Sequence, residues 1–241
     1  GQLGVLGSLQ HYQTVGSYWD STPDPFAGGS VFFVQPTDFE WWELFAPSIG
    51  QCRSDYTTSA SITAFEPSVT RFRLRRGASA PINLQQGTGD TPGWIYETGA
   101  NVASSYSNNA VYTLISEGDA EWPTFELDGA LRTPGTFQVL TPAISGFSPP
   151  TVSRTNLRFS WTGSGGDFIL IDLRLYDPFR GVDLERVSCV VSDSGSFTVP
   201  SGVWSQWTSD MQLYIDVGRG VESNAVLPFN NAGSGLVGVQ W

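Results

Sequence analysis

Residues 156–177 read NLRFSWTGSGGDFILIDLRLYD, and the spacing of their apolar side chains decides the fold class. Leu157, Phe159 and Trp161 alternate with Asn156, Arg158 and Ser160. A period of two places three large apolar groups on one face of a strand. Beyond a Gly-rich turn, Ile169, Ile171, Leu173 and Leu175 alternate with Asp172 and Arg174, and farther on Met211, Leu213, Ile215 and Val217 alternate with Gln212 and Asp216. Each run predicts a half-buried strand. Between them SDSGS, 192–196, supplies Asp and Gly for a tight turn and predicts a hairpin joining strand 187–191 to strand 196–199. After Pro200, VWSQW predicts a short helical turn. About seven short strands over 148–241 are what an immunoglobulin-like or fibronectin-III-like sandwich needs, with Trp161 in its core.

Working outward, the same rhythm covers the rest of the chain. Its 27 Gly and 15 Pro in 241 residues interrupt every stretch long enough for a helical period. Strands are predicted near 3–7, 30–34, 39–45, 57–65, 69–75, 81–85, 110–116, 122–127 and 136–140, which together read as a second β-sandwich. TPAISGFSPPT, 141–151, is rich in Pro and Gly and carries no charge, so it marks the boundary. The fold expected is all-β, with two packed β-sandwich domains: an N-terminal one over 1–146 and a C-terminal immunoglobulin-like one over 147–241.

Composition excludes several functions. Hydrophobic residues at 40% against 15% charged allow a real core. The net charge of −11 opposes a nucleic-acid partner, because a phosphate backbone calls for a basic groove. Arg71, Arg73, Arg75 and Arg76 form the one basic cluster, which fits a solvated strand face as well as an anion site. All 12 basic residues are Arg. A chain without Lys has no P-loop lysine, no Schiff-base lysine and no Ser-Lys dyad. No apolar run approaches the roughly 18 residues of a membrane helix. The chain begins at Gly1 without Met, compatible with removal of a signal peptide or lipid-bearing segment, and it holds no Asn-x-Ser/Thr sequon, which fits a bacterial source.

The residues able to carry chemistry are few. The two cysteines, Cys52 and Cys189, form no CxxC pair, which excludes zinc knuckles and redox motifs. They are open between one long-range disulfide and two plain thiols, Cys189 alternating with Val187 and Val191 as a buried residue does. His11 is the single histidine and no GxSxG elbow accompanies it, so neither a His triad nor a multi-His metal site is expected. Carboxylates are plentiful, among them Glu40, Glu43, Glu97, Glu117, Asp119, Glu121 and Asp128. Paired acids suit glycoside hydrolysis when held roughly 5–9 Å apart. The runs 117–121 and 17–25 lack the ligand spacing of a calcium loop, so acidic surface loops are preferred to Ca2+ there, and no metal or other cofactor is expected.

Aromatics carry the strongest binding signal. In DFEWWELF, 38–45, both strand faces are apolar, and Trp42, with Trp94, Trp204 and Trp207 near turns, forms a candidate aromatic patch for sugar stacking or interface anchoring. Burial between two packed sandwiches is the competing reading. At the C-terminus Val237, Val239 and Trp241 alternate, either as a last strand completing the sheet or as an edge able to pair with another subunit.

EWPTFELDGALRTPGTFQVLTP, then TVSRTNLRFSWTGSGGDFILIDL, then SCVVSDSGSFTVP resemble a recurrent pattern over about residues 110–200. The pattern is that of uncharacterised two-domain secreted β-sandwich proteins and lipoproteins of predatory and gliding bacteria. These are scaffold motifs: turns, a core Trp and a strand Cys. The resemblance implies export and an extracellular or cell-surface, outer-membrane-associated address, and it brings no catalytic residue. The function expected is therefore a non-enzymatic binding or assembly protein, for adhesion or as a subunit of an extracellular structure. Its partners would be other envelope or extracellular subunits, surface glycans or further copies of itself. A carbohydrate-binding module or acid-pair glycoside hydrolase is the alternative.

Overall fold

The computed structural model describes residues 4–12, 26–34, 47–54, 64–65, 72–86, 95–98, 107–118, 124–143, 150–226 and 233–240. They form sixteen strands and two 3-10 turns, the latter at Arg154–Asn156 and Ser201–Val203. The first nine strands are β1 (Gly4–Tyr12), β2 (Phe26–Val34), β3 (Gln51–Ser54), β4 (Ala64–Phe65), β5 (Phe72–Arg75), β6 (Ile82–Gln86), β7 (Ile95–Thr98), β8 (Val111–Ser116) and β9 (Phe125–Arg132). The rest are β10 (Val139–Thr141), β11 (Arg158–Trp161), β12 (Phe168–Asp177), β13 (Val182–Ser192), β14 (Ser196–Thr198), β15 (Gln212–Val226) and β16 (Gly233–Gln240). The protein is all-β.

Thirteen of the strands pair in one sheet, β3-β13-β12-β15-β16-β1-β2-β7-β6-β5-β8-β9, with β4 attached to β2. The remaining three form a small sheet, β10-β11-β14. The small sheet covers one face of β3, β13, β12 and β15, and the core between them is the one the alternation predicted. Leu157, Phe159 and Trp161 meet Ile169, Ile171, Leu173, Leu175, Val187, Val191 and Val217 there. Each such side chain, buried relative to exposed, stabilises by roughly 1.5–3 kcal/mol.

Strand β15 gives the chain its continuity. Gln212–Gly220 pairs with β12, while Arg219–Val226 pairs with β16, so one 15-residue strand serves two neighbours in succession. Among the described residues, pairing crosses residue 146 at three places: β10 on β11, β3 on β13 and β1 parallel to β16.

Two expectations are corrected by this topology. The turn at 192–196 is present, with Gly195 at φ 92°, but it does not close a hairpin. β14 leaves β13 and pairs with β11 of the opposite sheet. The cause is Asp193, whose carboxylate is fixed in the interior by Trp161 Nε1 (2.7 Å), Gly166 N (3.0 Å) and the Arg219 guanidinium (3.0 Å). Nor is the C-terminal strand an edge: Val237 and Val239 belong to β16, whose two sides are occupied by β15 and β1. Trp241 lies outside the described residues.

Candidate functional site

The sheet β13-β12-β15 has a second face, turned away from the core. Antiparallel register aligns its side chains in rows across the three strands. One row holds Asp183, Tyr176 and Gln212; the next holds Arg186, Arg174 and Tyr214; the next holds Ser188, Asp172 and Asp216. Beyond it the open face ends: Val190 and Gly218 are buried and Leu170 is half-buried. A bulge in β13 beside Leu175 and Tyr176 skips Leu184 and keeps Asp183 on this face.

Interactions within the rows fix the side chains. Tyr176 and Tyr214 meet edge to face with ring centroids 5.8 Å apart, and the Arg174 guanidinium lies 4.7 Å over the Tyr214 ring. Arg174 also reaches Asp183 at 3.5 Å, with both side chains about half exposed. Arg186 clamps Asp172 through Nε (2.9 and 3.0 Å) and its terminal nitrogen, and Ser188 Oγ donates to the same carboxylate at 2.7 Å. Asp216 stands opposite Asp172. Water displaced by its neighbours, and then the negative charge of Asp172, push its carboxyl above the ordinary carboxylate range, while Arg174 and Arg186 pull the other way.

At the end of this face the β12–β13 turn projects. Asp177 Oδ1 accepts from Phe179 N (2.9 Å) and Arg180 N (3.1 Å), an Asx turn that holds the loop, and Phe179 is left 83% exposed. Tyr214 and Val182 nearby are also exposed. Tyr, Arg and an exposed Phe on one rigid surface are the residue types that dominate binding energy at interfaces.

The residues singled out from sequence fall elsewhere. Trp42 and Trp94 lie outside the described residues. Trp204 is 2% exposed and belongs to the core, its ring edge to face with half-buried Trp207 at 4.8 Å, so it offers no surface for stacking. The segment around both is held from two sides. Arg154 donates to Trp204 O (2.7 Å) and Trp207 O (3.3 Å), and buried Glu185 accepts from Ser205 N and Oγ at 2.9 Å. Cys52 and Cys189, paired in register across β3 and β13, form a disulfide. In the basic cluster Arg73 pairs with Glu117 (3.0 Å) and Arg75 with Glu126 (2.8 Å), while Arg71 lies outside the described residues. Asp128 accepts from Thr113 Oγ1. Asp119, Glu121, Glu40 and Glu43 lie outside the described residues.

A polar cleft of about 420 Å³ opens between Asn109, Arg132, Thr133 and Gly165–Asp167. Its groups are engaged in the fold: Gly166 N donates to Asp193, Asp167 N to Gly220 O, and Asp167 Oδ2 accepts from Glu222 N. Among the described residues no three His, Cys, Asp or Glu side chains are placed to hold a metal, and no helix is long and apolar enough to cross a membrane. No protein family, curated protein or solved structure matches the chain.

The aromatic–arginine face escaped the sequence reading because its residues occupy the polar positions of alternating strands. In the sequence Arg174 and Asp216 are simply the polar members of half-buried strands. Register between strands, which one strand's sequence does not specify, makes them one surface.

Proposed function

We propose that this protein is a non-enzymatic binding or assembly protein that works through the outer face of β13-β12-β15. The observation that carries this reading is the row of Arg186, Arg174 and Tyr214 beside Tyr176, with exposed Phe179 at its end. Its aromatic and guanidinium groups are held in place before any partner arrives, which lowers the ordering cost of association. Three strands of the small sheet against four of the large one support an immunoglobulin-like reading of the C-terminal part, with β3 supplied from residues 1–146. The disulfide fits an oxidising compartment, and with the exported character implied by the sequence resemblance it supports a secreted or cell-surface address.

A second reading, carbohydrate binding or acid-pair glycoside hydrolysis, is favoured by one observation. Asp172 and Asp216 face each other across β12 and β15, one clamped by Arg186 and the other with its pKa raised. The test combines a glycan array, chromogenic glycosides and sedimentation of the full chain, each run with wild type, Tyr214→Ala and Asp216→Asn. The binding reading expects association, with glycan or with protein, that Tyr214→Ala weakens about tenfold or more, and no turnover. Hydrolysis lost in Asp216→Asn would replace it with the second reading. Absence of both association and turnover would sink both.

A further inference from the structure

We infer that the outer face of β13-β12-β15 is a self-complementary contact that takes a second copy of this chain. The inference rests on the reading of that face as a binding surface and commits it to one occupant.

The argument is one of charge and symmetry. Consecutive rows on the face lie about 6.8 Å apart, two residues along a strand. One row is cationic, Arg186 and Arg174 with Tyr214; the next is anionic, Asp172 and Asp216 with Ser188. A closed dimer needs a surface that complements itself under a two-fold rotation. An axis lying in the contact plane, parallel to the rows and midway between these two, sets the cationic row of each copy on the anionic row of the other. Arg174 then stands over Asp172 of the second copy with Asp216 one strand away, and the Tyr214 hydroxyl faces Asp216. The row beyond, Val190, Leu170 and Gly218, takes no part in the contact, since Val190 is 1% exposed and Gly218 is buried within the single chain.

Two features of the single chain fit this arrangement. Asp216 is exposed on the face, close enough to Arg174 and Arg186 to feel their charge, yet no cation of its own chain forms an ion pair with it among the described residues. Arg174 is exposed and already oriented by the Tyr214 ring and Asp183. The contact is small: three strands by the two complementary rows measure roughly 14 by 14 Å, well below the roughly 800 Å² per partner of a standard interface. It therefore belongs with weak, reversible associations. The chain's net charge of −11 opposes association at long range. At about 0.15 M salt that repulsion is screened beyond roughly 8 Å, while rows in contact are not.

Sedimentation equilibrium of the full chain at that salt, with Arg174→Glu, Asp216→Arg and an equimolar mixture of the two, tests the inference. Wild type is expected to dimerise reversibly. Arg174→Glu sets like charges on Asp172 and Asp216, and Asp216→Arg sets them on Arg174, each at both symmetry-related contacts. Either variant is expected to raise the dissociation constant about a hundredfold. In the mixture each heterodimer holds one native Arg174–Asp216 contact and one reversed Glu–Arg contact, so dimerisation returns in part, the introduced Glu still facing Asp172 of the other copy. Circular dichroism establishes that both variants fold. A wild-type dimer indifferent to both substitutions, or variants that fail to restore association together, would overturn the assignment of the face while leaving an assembly function standing. A wild-type monomer that binds a glycan through Tyr214 would overturn the second copy as occupant and keep the face. A monomer without ligand would overturn both readings.

Discussion

At the scale of the residue, buried Arg219 links several segments of the described chain. It is 0% exposed, and its guanidinium donates to Thr136 O (2.8 Å), Thr162 O (2.8 Å) and Gly163 O (3.0 Å) while pairing with Asp193 at 3.0 Å. The Phe137 ring lies 5.1 Å away. One side chain thus ties β15 to the segment before β10, to the turn after β11 and to the turn after β13. Gly166 packs against it so tightly that a Cβ there would come within 2.5 Å of Arg219 Cγ. Removing one partner of a buried pair strands the other, so Arg219→Met is expected to cost about 3–5 kcal/mol in urea unfolding. Adding Asp193→Asn to it is expected to recover part of that loss, since the stranded charge is gone and an Asn oxygen still accepts from Trp161. Additive losses in the double variant would show that the two residues are not coupled.

Asp216 sets a pH dependence of opposite sign to the usual carboxylate. Its folded pKa is raised, first by the neighbouring side chains that displace water around it and then by Asp172. Between the unfolded value near 3.9 and the raised folded one, the native state binds more protons than the unfolded state. Stability therefore falls as pH rises through that window, and the cost persists at neutral pH. Asp216→Asn cannot ionise. Measured at dilution, where the chain is a monomer, its urea midpoint is expected above that of wild type at pH 7 and level with it below about pH 4. A variant less stable than wild type at pH 7 would contradict this account of Asp216.

At the scale of the element, legibility followed burial. Alternation at 157–161, 169–175 and 211–217 located β11, β12 and the first half of β15, because a strand with one face in the core records that fact in its own sequence. What alternation does not record is the neighbour. SDSGS reads as a hairpin, yet β14 pairs with β11, since Asp193 is held inside by groups from three other segments. The C-terminal strand reads either as the last strand of its sheet or as an edge, and neither reading names its second neighbour β1, from the other end of the chain. β3 left no periodic trace at all. It is four residues, QCRS, with only Cys52 turned partly inward.

The disulfide compensates for that brevity. Cys52 and Cys189 are 137 residues apart in sequence, and closing so long a loop restricts the unfolded chain by up to about 5 kcal/mol in the entropy model. β3 alone adds four residues of pairing to β13. The double variant Cys52→Ser, Cys189→Ala is expected to lose about 2–5 kcal/mol in denaturant unfolding, and reducing agent is expected to shift wild type to the same midpoint. A wild-type midpoint unmoved by reduction under unfolding conditions would show that the bond does not hold the two halves together.

At the scale of the whole molecule, the sequence divides into two by composition at 141–151, while hydrogen bonding joins what composition divides. β3 from the first part extends the sheet of the second, β16 from the second pairs with β1 of the first, and β15 carries both sets of partners on one backbone. Side chains follow the same pattern. Cys52, Phe137 and Val139, all from the first part, pack on the core of the second, and Thr136 O and Phe137 complete the surroundings of buried Arg219. A fragment of residues 147–241 would keep the alternating strands that make it legible as a sandwich. It would lose β10 and β3, leave the β13 edge open, and strip the Arg219 guanidinium of one carbonyl and one ring. An open edge invites pairing with other chains, and a buried cation short of partners costs several kcal/mol. The fragment is therefore expected to retain far-UV β signal but to show weakened near-UV signal from Trp161 and Trp204, dye binding and a broad urea transition. A fragment that unfolds cooperatively at the full chain's midpoint would mean that the contacts crossing residue 146 contribute little. The C-terminal sandwich would then be a domain in the thermodynamic sense as well as the compositional one.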